Sequence, residues 1–324
     1  MTRPHKLLGN LSQERFLDEF WQQKPLFVKN ALPEMPSLME PDELAGFAMN
    51  EEIHSRLIVG KELEVEYGPI SEERFLTLPE NNWSLLVDAM DLWSPKIKKL
   101  INYFDFLPSW RLDDIMVSYA VDGGNVGAHF DHYDVFLIQG LGEKSWKLGG
   151  ICDEDTVLSK HDDLRIIHDF KHEREFIMST GDMLYLPPRY AHYGITLNES
   201  ITYSVGFRMP SCSEILSDLA VELNTKSNFP EYISDPSLKP IENKDHISSE
   251  YLTQIRARLS EVLDDDELLL EWFARYMTEP KYPESMDITN EERIATIELS
   301  NSKKTIPAAG KTTKKFKNGR LLEG

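Results

Sequence analysis

The sequence predicts a mixed α and β protein, with an antiparallel sandwich or closed barrel flanked on either side by helices. Three observations carry that expectation. Between about Arg111 and Arg208, seven or more short β-type runs follow one another, set off by Gly, Pro or Asp. On both sides of that stretch the apolar spacing changes to the helical period. The composition, 41% hydrophobic and 28% charged over 324 residues, is that of a chain able to bury a sizeable core, and it excludes collagen-like, low-complexity and globally disordered classes.

In chain order, Ser12 to Gln22 (SQERFLDEFWQ) opens on an N-cap residue and sets Phe16, Leu17, Phe20 and Trp21 on one stripe, so a helix is predicted there, ended by Pro25. A short strand, LFVKN, follows, then a helix over Pro41 to Met49 and a hairpin built from Arg56–Gly60 and Leu63–Tyr67. Asn82 to Phe106 returns to helical spacing and reads as two helices, with Pro95 opening the second. The β-type runs are IMVSYAV, DVFLIQGL, SWKLGG, EFIMST, DMLYLPP, HYGITL and SITYSVGF. After Pro210 the helical period resumes in SEILSDLAVEL, SEYLTQIRARLSEVL and DDELLLEWFARYM, a separate helical module. From about Pro280 the chain is polar and then Lys-rich, with no core pattern of its own, and is expected to be a tail. No internal repeat is visible.

No run approaches the roughly 18 to 20 consecutive apolar residues of a bilayer span, and MTRPHKLLGN lacks the apolar segment of a secretory signal. A cytoplasmic protein without membrane contact is expected. Cys152 and Cys212 stand apart and read as ordinary reduced thiols, since two isolated cysteines make neither a disulfide framework nor a thiolate zinc site. The formal charge is −20, unevenly spread. Residues 301–324 hold seven basic side chains against one acid, which leaves −26 on residues 1–300. Such a body repels phosphate backbones and attracts cations, so a basic protein or peptide is the expected partner and direct nucleic-acid binding by the body is disfavoured.

The chemistry concentrates in GGNVGAHFDHYDVF, residues 123–136. On a strand, residues two apart share a face, so His129 and Asp131 can both point into a barrel. They supply two-thirds of a 2-His-1-carboxylate facial triad, the donor set of non-haem Fe(II) sites. H-x-D recurs here at His132–Asp134, on the opposite face, and at His161–Asp163, in a charged loop-like run. Periodicity alone leaves the first two registers open, and the preceding Gly-rich loop slightly favours His129. The third ligand is expected from a distant strand, and His192, delivered after the Pro187–Pro188 turn, is the candidate.

The runs HFDHYDVFLIQGLGEKSW, GDMLYLPPRYAHYGITL and ITYSVGFR resemble the JmjC-type 2-oxoglutarate oxygenases of the cupin superfamily. Within these, the chain is similar to the bacterial ribosomal oxygenases that hydroxylate an arginine of the sixteenth large-subunit ribosomal protein. FLDEFWQQKPLFVKNA, PDELAGFAM, NWSLLVDAM and WRLDDIMVSYAV extend the likeness over roughly residues 10–280. The resemblance implies a double-stranded β-helix (jelly-roll) core at about 111–208 within an oxygenase domain 1–210, a helical dimerisation module 211–280 forming a homodimer, and a truncated or degenerate winged-helix-like remnant in 281–324. It implies His129, Asp131 and His192 as Fe(II) ligands, and Lys144 as the cation for the distal carboxylate of 2-oxoglutarate, with Lys147 and Arg208 as competitors. It further implies hydroxylation of an arginine by molecular oxygen, coupled to conversion of 2-oxoglutarate to succinate and carbon dioxide.

A guanidinium needs carboxylate and aromatic neighbours. Asp122, Tyr133 and Asp134 lie close enough in sequence to His129 and Asp131 to contribute and are the expected substrate contacts, Asp122 first among them. The triad's carboxylate is an aspartate, which leans toward stable hydroxylation over demethylation. Two other readings fit the residues: a cupin that binds ribosomal proteins without catalysis, and a cupin metalloenzyme for a small molecule. A cosubstrate lysine beside a complete triad speaks against the first, and the acidic surface with its helical module against the second.

Overall fold

The computed structural model describes residues 6–33, 37–226, 232, 234–236, 245, 247–279, 281–282, 294–299, 312–317 and 320–323. Two compact units divide the chain, Met1–Met209 with Pro280–Glu291, and Pro210–Glu279 with Glu292–Gly324.

In the first unit a 3-10 turn at Lys6–Leu8 precedes α1 (Gln13–Glu19), whose Ser12 side chain accepts a hydrogen bond from the Arg15 N–H as its cap. Then come β1 (Leu26–Val28), α2 (Pro41–Ala48), the hairpin β2 (Ser55–Val59) and β3 (Glu64–Tyr67), and α3 (Glu72–Leu76). β4 (Trp83–Val87) occupies part of the stretch predicted to be helical. Its alternation explains the correction: Leu85 and Val87 enter the main core while Leu86 joins a second cluster on the other face, so burial on both sides hid the period of two. α4 (Met90–Trp93) and α5 (Pro95–Lys98) follow, with Pro95 at the first turn of α5 as expected.

The predicted β runs become β5 (Leu112–Ala120), β6 (Asp134–Leu141), β7 (Glu143–Ile151), β8 (Arg174–Ser179), β9 (Met183–Leu186), β10 (Tyr190–Thr196) and β11 (Ser200–Phe207). They form an eight-stranded antiparallel sheet in the order β1-β9-β6-β11-β5-β4-β2-β3 and a three-stranded sheet, β10-β7-β8. Val135, Leu137, Leu184 and Leu186 of the large sheet cluster with Trp146, Leu148 and Met178 of the small one, which packs the two as a jelly-roll sandwich. The alternate residues Phe136, Ile138 and Tyr185 face the other way, onto Phe16 and Phe104. With both faces covered, β6 reads as the unbroken run DVFLIQGL.

The second unit holds α6 (Cys212–Lys226), α7 (Ser249–Leu263) and α8 (Asp266–Thr278). The Trp272 indole donates to Asp218 at 2.6 Å and Arg275 pairs with Glu222 at 2.6 Å, docking α8 on α6. β12 (Ile294–Leu299), β13 (Thr312–Lys317) and β14 (Arg320–Glu323) form a three-stranded antiparallel sheet in the stretch expected to be a tail. No helix among the described residues is long and apolar enough to cross a membrane.

Candidate metal centre and its cavity

His129 and Asp131 lie not within a strand, as their spacing suggested, but on the segment leading into β6, where His129 forms an isolated bridge with His192 of β10. The two backbones exchange hydrogen bonds of 3.0 and 2.8 Å. The Gly-rich loop sets this segment: Gly127 takes φ +81°, and a Cβ there would stand 3.0 Å from Ile166, so only glycine fits without strain. The Gly127 carbonyl then accepts from His129 Nδ1 at 3.0 Å. On the far side, the chain turns through Pro187, Pro188 and Arg189, the last at φ +63° and donating its N–H to the Asp131 carbonyl at 2.6 Å. His192 Nδ1 donates to the Tyr190 carbonyl at 2.9 Å.

Each imidazole thus spends Nδ1–H on a carbonyl, which can only accept, and leaves Nε2 as the ring nitrogen turned to the cluster. The rings lie 4.2 Å apart, and His192 Nε2 stands 3.6 Å from Asp131 Oδ2. One donor atom from each of His129, Asp131 and His192 falls within 4.8 Å of the others. Burial, then the neighbouring His129, depresses the His192 imidazole to about 4, so it is neutral at physiological pH, the form that binds metal. Two imidazole nitrogens and one carboxylate, gathered on one side, suit a divalent iron that keeps open positions.

These groups sit in the wall of a cavity of about 340 Å³. Lys144 lines it from β7 and is only 7% exposed. Among the described residues no carboxylate lies within ion-pairing distance of its ammonium, and burial alone lowers it to about 8. Nζ stands 5.0 Å from the Trp146 ring centroid. Gly194, opposite Trp146 on β10, leaves the room for both, because a Cβ there would meet Trp146 at 2.8 Å and Lys144 Cε at 2.9 Å. The competing cations stand elsewhere: Lys147 does not line the cavity, and Arg208 reaches Asp113 at 3.6 Å.

Of the expected substrate contacts, Tyr133 lines the cavity and the other two do not. Asp122 is exposed in the tight turn before Gly123. Asp134, wholly buried on the opposite face of β6, accepts from Tyr185 Oη at 2.7 Å and Gln22 Nε2 at 2.9 Å, and pairs with Arg111 at 3.3 Å. The His161 ring is engaged by loop backbone, accepting from the N–H groups of Asp163 and Leu164.

Sequence reasoning missed Asp113 and Asp114, 7% and 5% exposed on β5. Asp114 Oδ1, Asp113 Cβ and the Tyr133 ring all lie within 3.7 Å of the point where a Gly206 Cβ would stand, so this carboxylate pair adjoins the cavity behind Tyr133. Two consecutive acids inside an apolar strand run were the available signal, since buried carboxylates require partners. Desolvation, outweighing Lys281, raises Asp114 to about 6. The Asp131 charge, then burial, holds the Tyr133 phenol protonated well above its ordinary range.

Residues 99–215 match the JmjC domain family model. The chain is 40% identical over 215 residues to a probable ribosomal oxygenase of Haemophilus influenzae, a match covering 65% of this chain and about half (53%) of that relative. It is 34% identical over 272 residues to the ribosomal protein uL16 3-hydroxylase of Escherichia coli, covering 82% of this chain and 71% of that one. The structure of the Escherichia coli ribosomal oxygenase YcfD with cobalt and 2-oxoglutarate superimposes with a TM-score of 0.78 at 29% identity, over 97% of this chain and 86% of that chain. With the jelly roll and the His-Asp-His cluster in place, likeness of this extent makes the chain a member of the JmjC-domain bacterial ribosomal oxygenases.

Proposed function

We propose that the protein is an Fe(II)- and 2-oxoglutarate-dependent hydroxylase that oxidises an arginine side chain of the ribosomal protein uL16. One observation carries the reading: three donors of the facial-triad type converge in a cavity that also holds a buried ammonium with no counter-ion among the described residues. The Escherichia coli relatives support it, one named for uL16 3-hydroxylation and one solved with cobalt and 2-oxoglutarate.

His129, Asp131 and His192 would hold the iron, and Lys144 the distal carboxylate of 2-oxoglutarate. Bound together, metal and cosubstrate supply the oxidation of a C–H bond by molecular oxygen, with succinate and carbon dioxide as the other products. The chain's own residues bind and align. Lys144 gains an anion that offsets its desolvation. Ile58, Leu86 and Leu137 give the cavity apolar walls that exclude water. Tyr133, Ser204 and Met116 line the side that adjoins Asp114, a setting in which an arginine stem meets an aromatic face and its guanidinium a carboxylate.

The acidic body suits a cationic client and disfavours nucleic acid, and the client's setting is cytoplasmic. The second unit would pair two copies as a homodimer: Leu252, Ile255, Leu259 and Leu263 form one exposed stripe along α7.

Incubation with Fe(II), 2-oxoglutarate and uL16 should add one oxygen atom to an arginine, read by mass spectrometry. His129→Ala and Asp131→Ala should each abolish the gain. An unmodified client in the presence of every component would overturn the assignment.

A further inference from the structure

The acidic pair behind Tyr133 already holds a cation. Lys281 Nζ stands 3.4 Å from Asp113 Oδ2 and 3.3 Å from Asp114 Oδ2. The next residue secures it, as the Tyr282 ring stacks on His54 at 3.9 Å and its hydroxyl donates to Asp88 at 3.0 Å. Burial would depress the Lys281 ammonium, but Asp114, Asp113 and Asp88 outweigh it and hold it charged. We propose that Lys281 is a built-in competitor for the client's arginine: its ammonium fills the carboxylate seat beside the cavity, and the guanidinium enters only as Lys281 leaves. The inference rests on the arginine-hydroxylase reading and adds to it a self-occupied substrate seat.

Backbone setting makes Lys281 the exchangeable cation among the described residues. The other two near this cluster are anchored to the sheet: Arg56 lies within β2 and pairs with Asp88 at 3.3 Å, and Arg208 directly follows β11. Lys281 itself lies outside any helix or strand, and about a third of its side chain (32%) is exposed. Its contacts of 3.3 and 3.4 Å, like the 3.3 Å of Arg56 and the 3.6 Å of Arg208, are longer than the roughly 2.7–2.9 Å of strong charge-assisted bonds, so the seat is held loosely and the freedom of the backbone decides which cation leaves. A guanidinium presents a planar fork that engages a carboxylate through two bonds, whereas an ammonium is a point charge. An arriving arginine therefore has the means to displace the lysine, while both cations together in one small seat would repel.

The test compares the full-length wild type with Lys281→Met, which keeps the apolar stem and removes the charge. The probes are a client peptide with its target arginine and the same peptide with citrulline, the neutral isostere, in that position. Freeing the seat should tighten the arginine peptide about fivefold, as expected when a self-occupied state is relieved, and leave the citrulline peptide unchanged. Lys281→Arg should weaken arginine-peptide binding. Equal or weaker binding of the arginine peptide by a folded Lys281→Met, or an equal gain for citrulline, would overturn the proposal. Should Lys281→Met fail to fold, Tyr282→Phe, which loosens the same segment, should shift affinity in the same direction, and an unchanged affinity there would overturn it. Hydroxylation of the arginine peptide by the wild type is scored separately: its absence sinks the enzymatic reading, whereas equal affinities with hydroxylation intact sink only the role of Lys281.

Discussion

At position 144 the chain buries an ammonium that no carboxylate among the described residues neutralises, an arrangement that costs stability until a dianion arrives. The Lys144 amine is lowered to about 8 from an ordinary 10.5 by burial. Below pH 8 folded and unfolded chains both carry the proton, and the folded state bears the full desolvation cost, on the order of 3 kcal/mol at most. Between pH 8 and 10.5 only the unfolded state keeps it, so stability rises with pH across that window. Lys144→Met should therefore raise the thermal midpoint of the ligand-free protein below pH 8 and lose that advantage above about 10.5, while 2-oxoglutarate affinity collapses. In the wild type the same titration should weaken 2-oxoglutarate binding roughly tenfold per pH unit above about 8, since only the charged amine pairs with a carboxylate. Calorimetric titration across pH 7 to 10 reads this directly, and a flat profile would move the carboxylate partner elsewhere.

At the level of elements, the site depends on how β7 and β10 are paired. Gly194 stands opposite Trp146 and Thr196 opposite Lys144, so the absent Cβ at 194 is the space into which the indole and the lysine stem fold. Gly194→Ala should destabilise the protein by about 1–3 kcal/mol through overpacking and raise the KM for 2-oxoglutarate with a smaller effect on metal binding. A thermal melt and cosubstrate titration check both. The His-Asp-His cluster was legible in kind but not in register, since H-x-D occurs three times and only the family resemblance singled out His129, Asp131 and His192, whereas the strands around this pair were legible because Gly and Pro punctuate them. β4 was not, since Leu85 and Leu86 are buried on opposite faces and erase the alternation that marks a strand. Asp122 misled for a related reason: proximity in sequence to His129 says nothing about direction, and the residue one step before the left-handed Gly123 is exposed in the turn and does not line the cavity. Asp113 and Asp114 went unread because their partner, Lys281, lies far away along the chain and only the fold brings it back.

At the scale of the whole molecule, charge is the property that the sequence alone makes plain, and it separates encounter from chemistry. The chain carries −20 overall, and −26 before residue 301. A field of that sign should draw a basic ribosomal protein toward the enzyme and speed encounter, an effect that operates through solvent and is therefore screened by salt. Lys144, His129, Asp131 and His192 line a cavity where counter-ions penetrate little. Raising the ionic strength from about 0.05 to about 0.5 M should consequently lower kcat/KM for intact uL16 by about tenfold or more, chiefly through slower association, with kcat nearly unchanged. The KM for 2-oxoglutarate should barely move over the same range. A short client peptide whose only cation is the target arginine should lose far less, because it presents one charge to the field instead of many. If peptide and intact protein declined in parallel, the acidic surface would serve solubility alone and client selection would reside entirely in the cavity and its carboxylate seat.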